Sequence, residues 1–170
     1  MRLAAVAVFI CLAVAWLGLP TRSAAAGSLT ASLDGRSLEP GRVGEYHCHD
    51  LDYPAIRCFK SGAALDAAIA ERLGIGADAE PLAASGVSYV RIYVDASFGG
   101  NSMLISNPYN KLGDIGWNDR VSSFKTLTSA GGDFWQHTFG AGWAYAFCCY
   151  SNVTYVGNAY NDQFSSVYPN

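Results

Sequence analysis

The chain has 170 residues, 51% of them apolar and 15% charged, with a formal net charge of −3. That is enough for one domain of ordinary size plus a smaller attachment. An acidic chain without a basic patch is a poor partner for nucleic acid or an anionic membrane, so both classes are set aside.

Residues 1–26 read as a cleaved secretory signal. Arg2 supplies a positive start, Leu3 to Leu19 is an almost unbroken apolar run, and Ser23-Ala24-Ala25-Ala26 offers a small-residue cleavage site before Gly27. The competing reading is an uncleaved anchor, since the run approaches spanning length, but small residues follow it where an anchor would carry charge. A lipid anchor fails at Cys11, which lies inside the run. Cleavage removes Arg2 and Arg22 and no acid, so the charge becomes −3 − 2 = −5. The expected product is secreted, with no membrane attachment after cleavage.

Residues 27–87 form the N-terminal attachment. Gly27 to Gly44 is rich in Gly, Ser and Pro, without periodicity, and reads as a loose arm. Ser61 is a helix cap over Ala63 to Leu73, with Leu65, Ala68, Ile69 and Leu73 on one face and Gly74 and Gly76 as stops. Ala77 to Gly86 is a small-residue linker.

Four cysteines follow the signal: Cys48, Cys58, Cys148 and Cys149. In an exported chain an even number argues for disulfides, and sequence leaves three pairings open. Adjacent cysteines reach ordinary disulfide geometry with difficulty, which favours at least one long-range staple. His47 and His49 flank Cys48, but one-residue spacing is wrong for a zinc finger pair.

From Ser88 to Asn170 helical spacing gives way to short β-branched and aromatic runs punctuated by Gly, Asn and Asp. Tyr89–Val94, Ser102–Ser106 and Ser122–Leu127 read as strands of one unit. Phe134-Trp135, Tyr145–Cys149, Val153–Val156 and Ser165–Tyr168 read as strands of a second. Phe98 aligns with Phe139, Gly100 with Gly142 and Asp119 with Asp162. Such units bury their apolar faces against each other, which predicts an all-β sandwich of two Greek-key units.

Each unit carries the same phrase: Asn118-Asp119-Arg120-Val121-Ser122-Ser123 and Asn161-Asp162-Gln163-Phe164-Ser165-Ser166. Asp, Asn and Ser are common turn residues, so one copy could be a turn alone. Two copies at matching places make an oxygen-only donor set, the chemistry a hard cation prefers. The tryptophans Trp117, Trp135 and Trp143 read as sandwich core. No Gly-x-Ser-x-Gly elbow, His-Glu-x-x-His or paired acids in a cleft point to catalysis.

These phrases, with Tyr93-x4-Phe98-x-Gly100, resemble the βγ-crystallin superfamily in its microbial calcium-binding branch. Gly113 to Asp119 is also similar to secreted crystallin-type metalloproteinase inhibitors. In the second unit the hairpin reads Phe134-x4-Phe139-Gly140-Ala141-Gly142, with the glycine one residue late. The resemblance covers Ser88 to Asn170. It implies a non-enzymatic module with two Ca²⁺ sites, Asp119 and Ser122 giving side-chain oxygens and Arg120 its carbonyl, and Asp162, Ser165 and the Gln163 carbonyl doing the same in the second. Asn118 and Asn161 hold the loops by hydrogen bonds more than they touch the ion. A hairpin carbonyl near Asp95 or Ser97 completes the first site, and Ser123 and Ser166 fasten the hairpins. Alternatives are a proteinase inhibitor presenting Asn107–Asp114 or Ser129–Thr138 to a secreted protease, and an adhesion module for an envelope component or carbohydrate.

Overall fold

The computed structural model describes residues 28–74, 89–129 and 131–170. The expected signal and the Ala77–Gly86 linker lie outside the described residues. Among the described residues eleven strands and one α-helix, with four short 3-10 turns between them, follow in order: β1 (Thr30–Leu33), β2 (Arg36–Leu38), β3 (His47–Asp52), β4 (Ala55–Phe59), α1 (Gly62–Leu73), β5 (Val90–Tyr93), β6 (Ser102–Ile105), β7 (Ser123–Thr126), β8 (Gly131–His137), β9 (Ala141–Cys148), β10 (Asn152–Val153) and β11 (Ser166–Pro169). Among the described residues no helix is long and apolar enough to cross a membrane.

Two sheets make the sandwich. The larger runs β10-β7-β5-β6-β3-β4-β1-β2 and the smaller β11-β8-β9. The first unit supplies β5, β6 and β7; the second supplies β8, β9 and β11. Each lends its remaining strand to the other's sheet. β10 of the second unit pairs antiparallel with β7 of the first, Val153 opposite Phe124. Tyr109 of the first unit bridges Val167 of the second, its N–H donating to the Val167 carbonyl at 2.8 Å and its carbonyl accepting from the Val167 N–H at 3.1 Å. This is the expected all-β arrangement of two Greek keys, and the exchange makes each unit incomplete without its neighbour.

Alternation along the strands puts Ile92, Met103, Ile105 and Phe124 against Phe134, Phe147 and Val167 across the interior, all buried. Phe134 sits at the centre, its ring 4.7 Å from Phe147, 4.8 Å from Phe164 and 5.3 Å from Phe124. Offset and tilted pairs of this kind add to area burial. Trp117 is fully buried, whereas Trp135 and Trp143 are half-buried.

The N-terminal segment departs from the loose arm expected. β1 and β2 form a hairpin, and β1 runs parallel to β4. Their turn is Asp34-Gly35, with φ of 47° and 79°, the left-handed pair that suits a tight hairpin. β3 then pairs parallel with β6, Cys48 opposite Met103 and His49 opposite Leu104, so the segment extends the larger sheet without a break. As expected, Ser61 caps α1 by accepting from the Ala64 N–H at 3.2 Å, and Gly74 ends the helix at φ 67°. Leu65 and Ile69 bury against Leu104 and Tyr89 on the sheet face opposite the sandwich core.

The disulfide of the N-terminal segment is local, which corrects the expected long-range staple from Cys48 or Cys58. Cys48 bonds Cys58 across the β3–β4 pair, with Cα atoms 4.1 Å apart. Cys148 and Cys149 are neighbours where β9 ends. Cross-strand neighbours in an antiparallel pair already stand at bridging distance. The Cys48 sulfur is therefore committed, and zinc at His47-Cys48-His49 is excluded.

Candidate metal centre

The repeated phrases lie back to back. Asp119 and Asp162 both adopt the left-handed conformation, at φ 53° and 55°, a region Asp and Asn tolerate better than most residues. Asn118 Nδ2 donates to Asp119 Oδ2 at 2.6 Å, and Asn161 Nδ2 to Asp162 Oδ2 at 2.7 Å. Both amides thus brace their neighbouring carboxylates. Each aspartate N–H reaches into the other phrase: Asp119 donates to the Phe164 carbonyl at 3.0 Å and Asp162 to the Val121 carbonyl at 3.3 Å.

The last serine of each phrase fastens a hairpin. Ser123 Oγ donates to the Asp95 carbonyl at 2.6 Å and accepts from the Phe98 N–H at 3.0 Å. Ser166 Oγ donates to the His137 carbonyl at 2.7 Å and accepts from the Gly140 N–H at 3.1 Å. These contacts correct the alignment of the two hairpins. Asp95 corresponds to His137 and Phe98 to Gly140, while Ser97 (φ 56°) corresponds to Phe139 (φ 59°). Gly100 and Gly142 match as expected. The second hairpin is therefore Trp135-x4-Gly140-x-Gly142: its glycine is in register, and a glycine has replaced the second aromatic.

A cavity of about 200 Å³ is lined by Asp119, Gln136, His137, Asp162, Gln163 and Ser165. Ser165 Oγ lies 3.4 Å from Asp119 Oδ1 and donates to it. The carboxylate facing Ser165 thus belongs to the opposite unit, whereas the expected set placed Ser165 with Asp162 and the Gln163 carbonyl. Asp162 and Gln163 line the same cavity. Gln136 and His137 come from the β8 hairpin; the signal for them was their register behind Trp135, hidden by the misaligned glycine.

The pseudo-equivalent arrangement in the first unit is closed. Ser122 Oγ donates to the Val94 carbonyl at 2.7 Å, so hydroxyl and hairpin carbonyl satisfy each other. The Asp95 carbonyl, expected to face an ion, is taken by Ser123. Arg120 directs its side chain away from the phrase: Nη1 donates to the Gly116 carbonyl at 3.1 Å, and the guanidinium lies 6.0 Å over the Trp117 ring.

Among the described residues no three His, Cys, Asp or Glu side chains cluster closely enough to hold a metal by themselves. Two carboxylates, one hydroxyl and backbone carbonyls are the donor set present, which suits a weakly held hard cation. The loops considered for protease inhibition are pinned. Tyr109 and Leu112 are buried, the Leu112 N–H donates to the Ser165 carbonyl at 2.8 Å, and 131–137 is β8, paired on both sides.

No protein-family profile matches the chain, and no curated protein matches it. Several solved structures do. A βγ-crystallin domain from Clostridium beijerinckii is 26% identical, covering 48% of this chain and 95% of its own, at a TM-score of 0.43. A βγ-crystallin from an archaeon is 23% identical over 50% of this chain and 100% of its own, at 0.45. A βγ-crystallin domain from Flavobacterium johnsoniae is 22% identical over 48% and 92%, at 0.44. By its own strand order and exchange the chain is an all-β protein of two Greek keys, and the solved structures named here, to which it is similar, are bacterial and archaeal βγ-crystallin domains.

Proposed function

We propose that the protein is a secreted, non-enzymatic Ca²⁺-binding module of βγ-crystallin type, in which the ion ties one Greek key to the other. The observation that carries this reading is the meeting of Asp119 Oδ1 and Ser165 Oγ, from different units, at a cavity also lined by Asp162 and Gln163. Asp119, Asp162, Ser165 and the Gln163 carbonyl would hold one ion there, with waters completing about six to eight oxygens. Ser122 and the Arg120 carbonyl would contribute to a second once Ser122 releases the Val94 carbonyl. With so few carboxylates, affinity falls on the order of 10⁻⁴ to 10⁻⁵ M. At a hundredfold excess over the dissociation constant, one ion adds about 2.7 kcal/mol to the folded state by mass action.

Titration calorimetry of the metal-free protein, with melting curves in chelator and in Ca²⁺, tests the proposal. Calcium should raise the melting temperature, and Asp119→Ala with Asp162→Ala should abolish the rise. Because the cavity is shared, Asp119→Ala alone should weaken the site containing Ser165, as Ser165→Ala does. Absence of heat and of any melting shift at millimolar Ca²⁺ would end the proposal.

A further inference from the structure

Sheet edges are where a β protein meets other chains, because unpaired N–H and C=O groups there template further strands. Three of the four edges here are blunted. β2 is three residues long and carries Arg36, β10 is two residues long, and β11 is bridged by Tyr109. β9 is different. It is the longest strand among the described residues, eight residues from Ala141 to Cys148, and it pairs with β8 alone. It has no proline and no charge, and from Phe134 to Asn161 there is no Asp, Glu, Lys or Arg. Gly142, Ala144 and Ala146 are exposed and small, leaving the backbone open to approach. Exposed aromatics flank it: Phe139 just before the strand, Tyr150 just after it, and Tyr160 against its Trp143 and Tyr145.

We infer that β9 is a dimerisation edge, pairing antiparallel with β9 of a second copy so that two three-stranded sheets join into one of six strands. Self-pairing is favoured over capture of a foreign strand on two grounds. A strand meeting itself about a two-fold axis needs no complementary partner sequence, since the interface is isologous. The whole chain is acidic, at −3, so two copies repel across most of their surface, whereas this stretch brings no charge against charge. It is the face on which like molecules approach without that penalty.

Light scattering coupled to size exclusion should give twice the protomer mass for the purified protein. Hydrogen exchange should show the β9 amides protected in the dimer. Ala144→Lys places a charge on an exposed face near the middle of the strand, and its copy across the axis stands close to it, with Cβ atoms about 5 Å apart in a directly opposed pair. That variant should run as a monomer with an unchanged near-ultraviolet spectrum and freely exchanging β9 amides. Ala146→Lys serves as a second disruptor should the first fail to fold. A wild-type monomer at every soluble concentration overturns the inference, as does a dimer that survives both lysines. A monomer whose β9 edge instead binds strands of an unrelated protein overturns it too.

Discussion

His49 offers the sharpest test of how the N-terminal segment is built. It is fully buried on β3, stacked on Phe59 at 6.0 Å. Its Nδ1 accepts from the Leu51 N–H at 3.3 Å, so the proton sits on Nε2, which finds no partner among the described residues. Burial, reinforced by Arg57 and Arg72 and opposed by Asp52, pushes the imidazole down to about 4. An unfolded histidine titrates near 6.5, and the gap to about 4 converts at 1.36 kcal/mol per pH unit to about 3 kcal/mol. The sign follows from which state binds the proton. Between the two values the unfolded chain is protonated and the folded one is not, so acid favours unfolding. This contribution is intact above 6.5 and lost as pH falls through about 4. Urea unfolding at pH 7 and pH 4, for the protein and for His49→Leu, isolates it from other acid-sensitive groups. The protein should lose about 3 kcal/mol more than the variant over that interval. Equal losses would refute the reasoning.

Two further perturbations probe the junction between the N-terminal strands and the Greek keys. Asp50 is buried, with Oδ1 accepting from the Ser106 N–H at 2.8 Å and hydroxyl at 2.7 Å, and Oδ2 from the Asn107 N–H at 3.1 Å. Asp50→Ala orphans these donors at about 1–3 kcal/mol each, so the melting temperature should fall by roughly ten degrees or more. Gly44 packs so closely on the Gly116 carbonyl that a Cβ would overlap it, whereas a Cβ on Gly41 meets nothing within 4 Å. Gly44→Ala should therefore cost about 1–3 kcal/mol in chemical denaturation while Gly41→Ala stays near wild type.

What could be read from the chain depended on whether the signal was local. α1 was legible because its cap, apolar spacing and stop lie within one short segment, from Ser61 to Gly74. The strands of the two units were legible from their alternation and turns. β1 to β4 were not: they are short strands, and the parallel pairings that tie them together, β1 with β4 and β3 with β6, join residues far apart in sequence. One clue there went unused: Asp34-Gly35 between Leu33 and Arg36 is a strong hairpin signal. The repeated phrase located the loops and the hairpin-fastening serines. It could not reveal that Asp119 faces Ser165, because strand exchange decides which loops meet. The one-residue slip at Phe139 had a similar cause: an aromatic match outweighed backbone conformation, which residue identity does not report at a position where Ser97 and Phe139 behave alike.

The parallel junction of β3 with β6 bears on any attempt to trim the molecule. Severing the chain at residue 87 would strip Cys48 and His49 from their places beside Met103 and Leu104, leaving a naked ladder of amides. It would also remove the helix that roofs Leu104 and Tyr89. The remnant would be a sticky fragment prone to self-association through two fresh surfaces. What looks like a prefix is the lid and the buttress of the piece that follows.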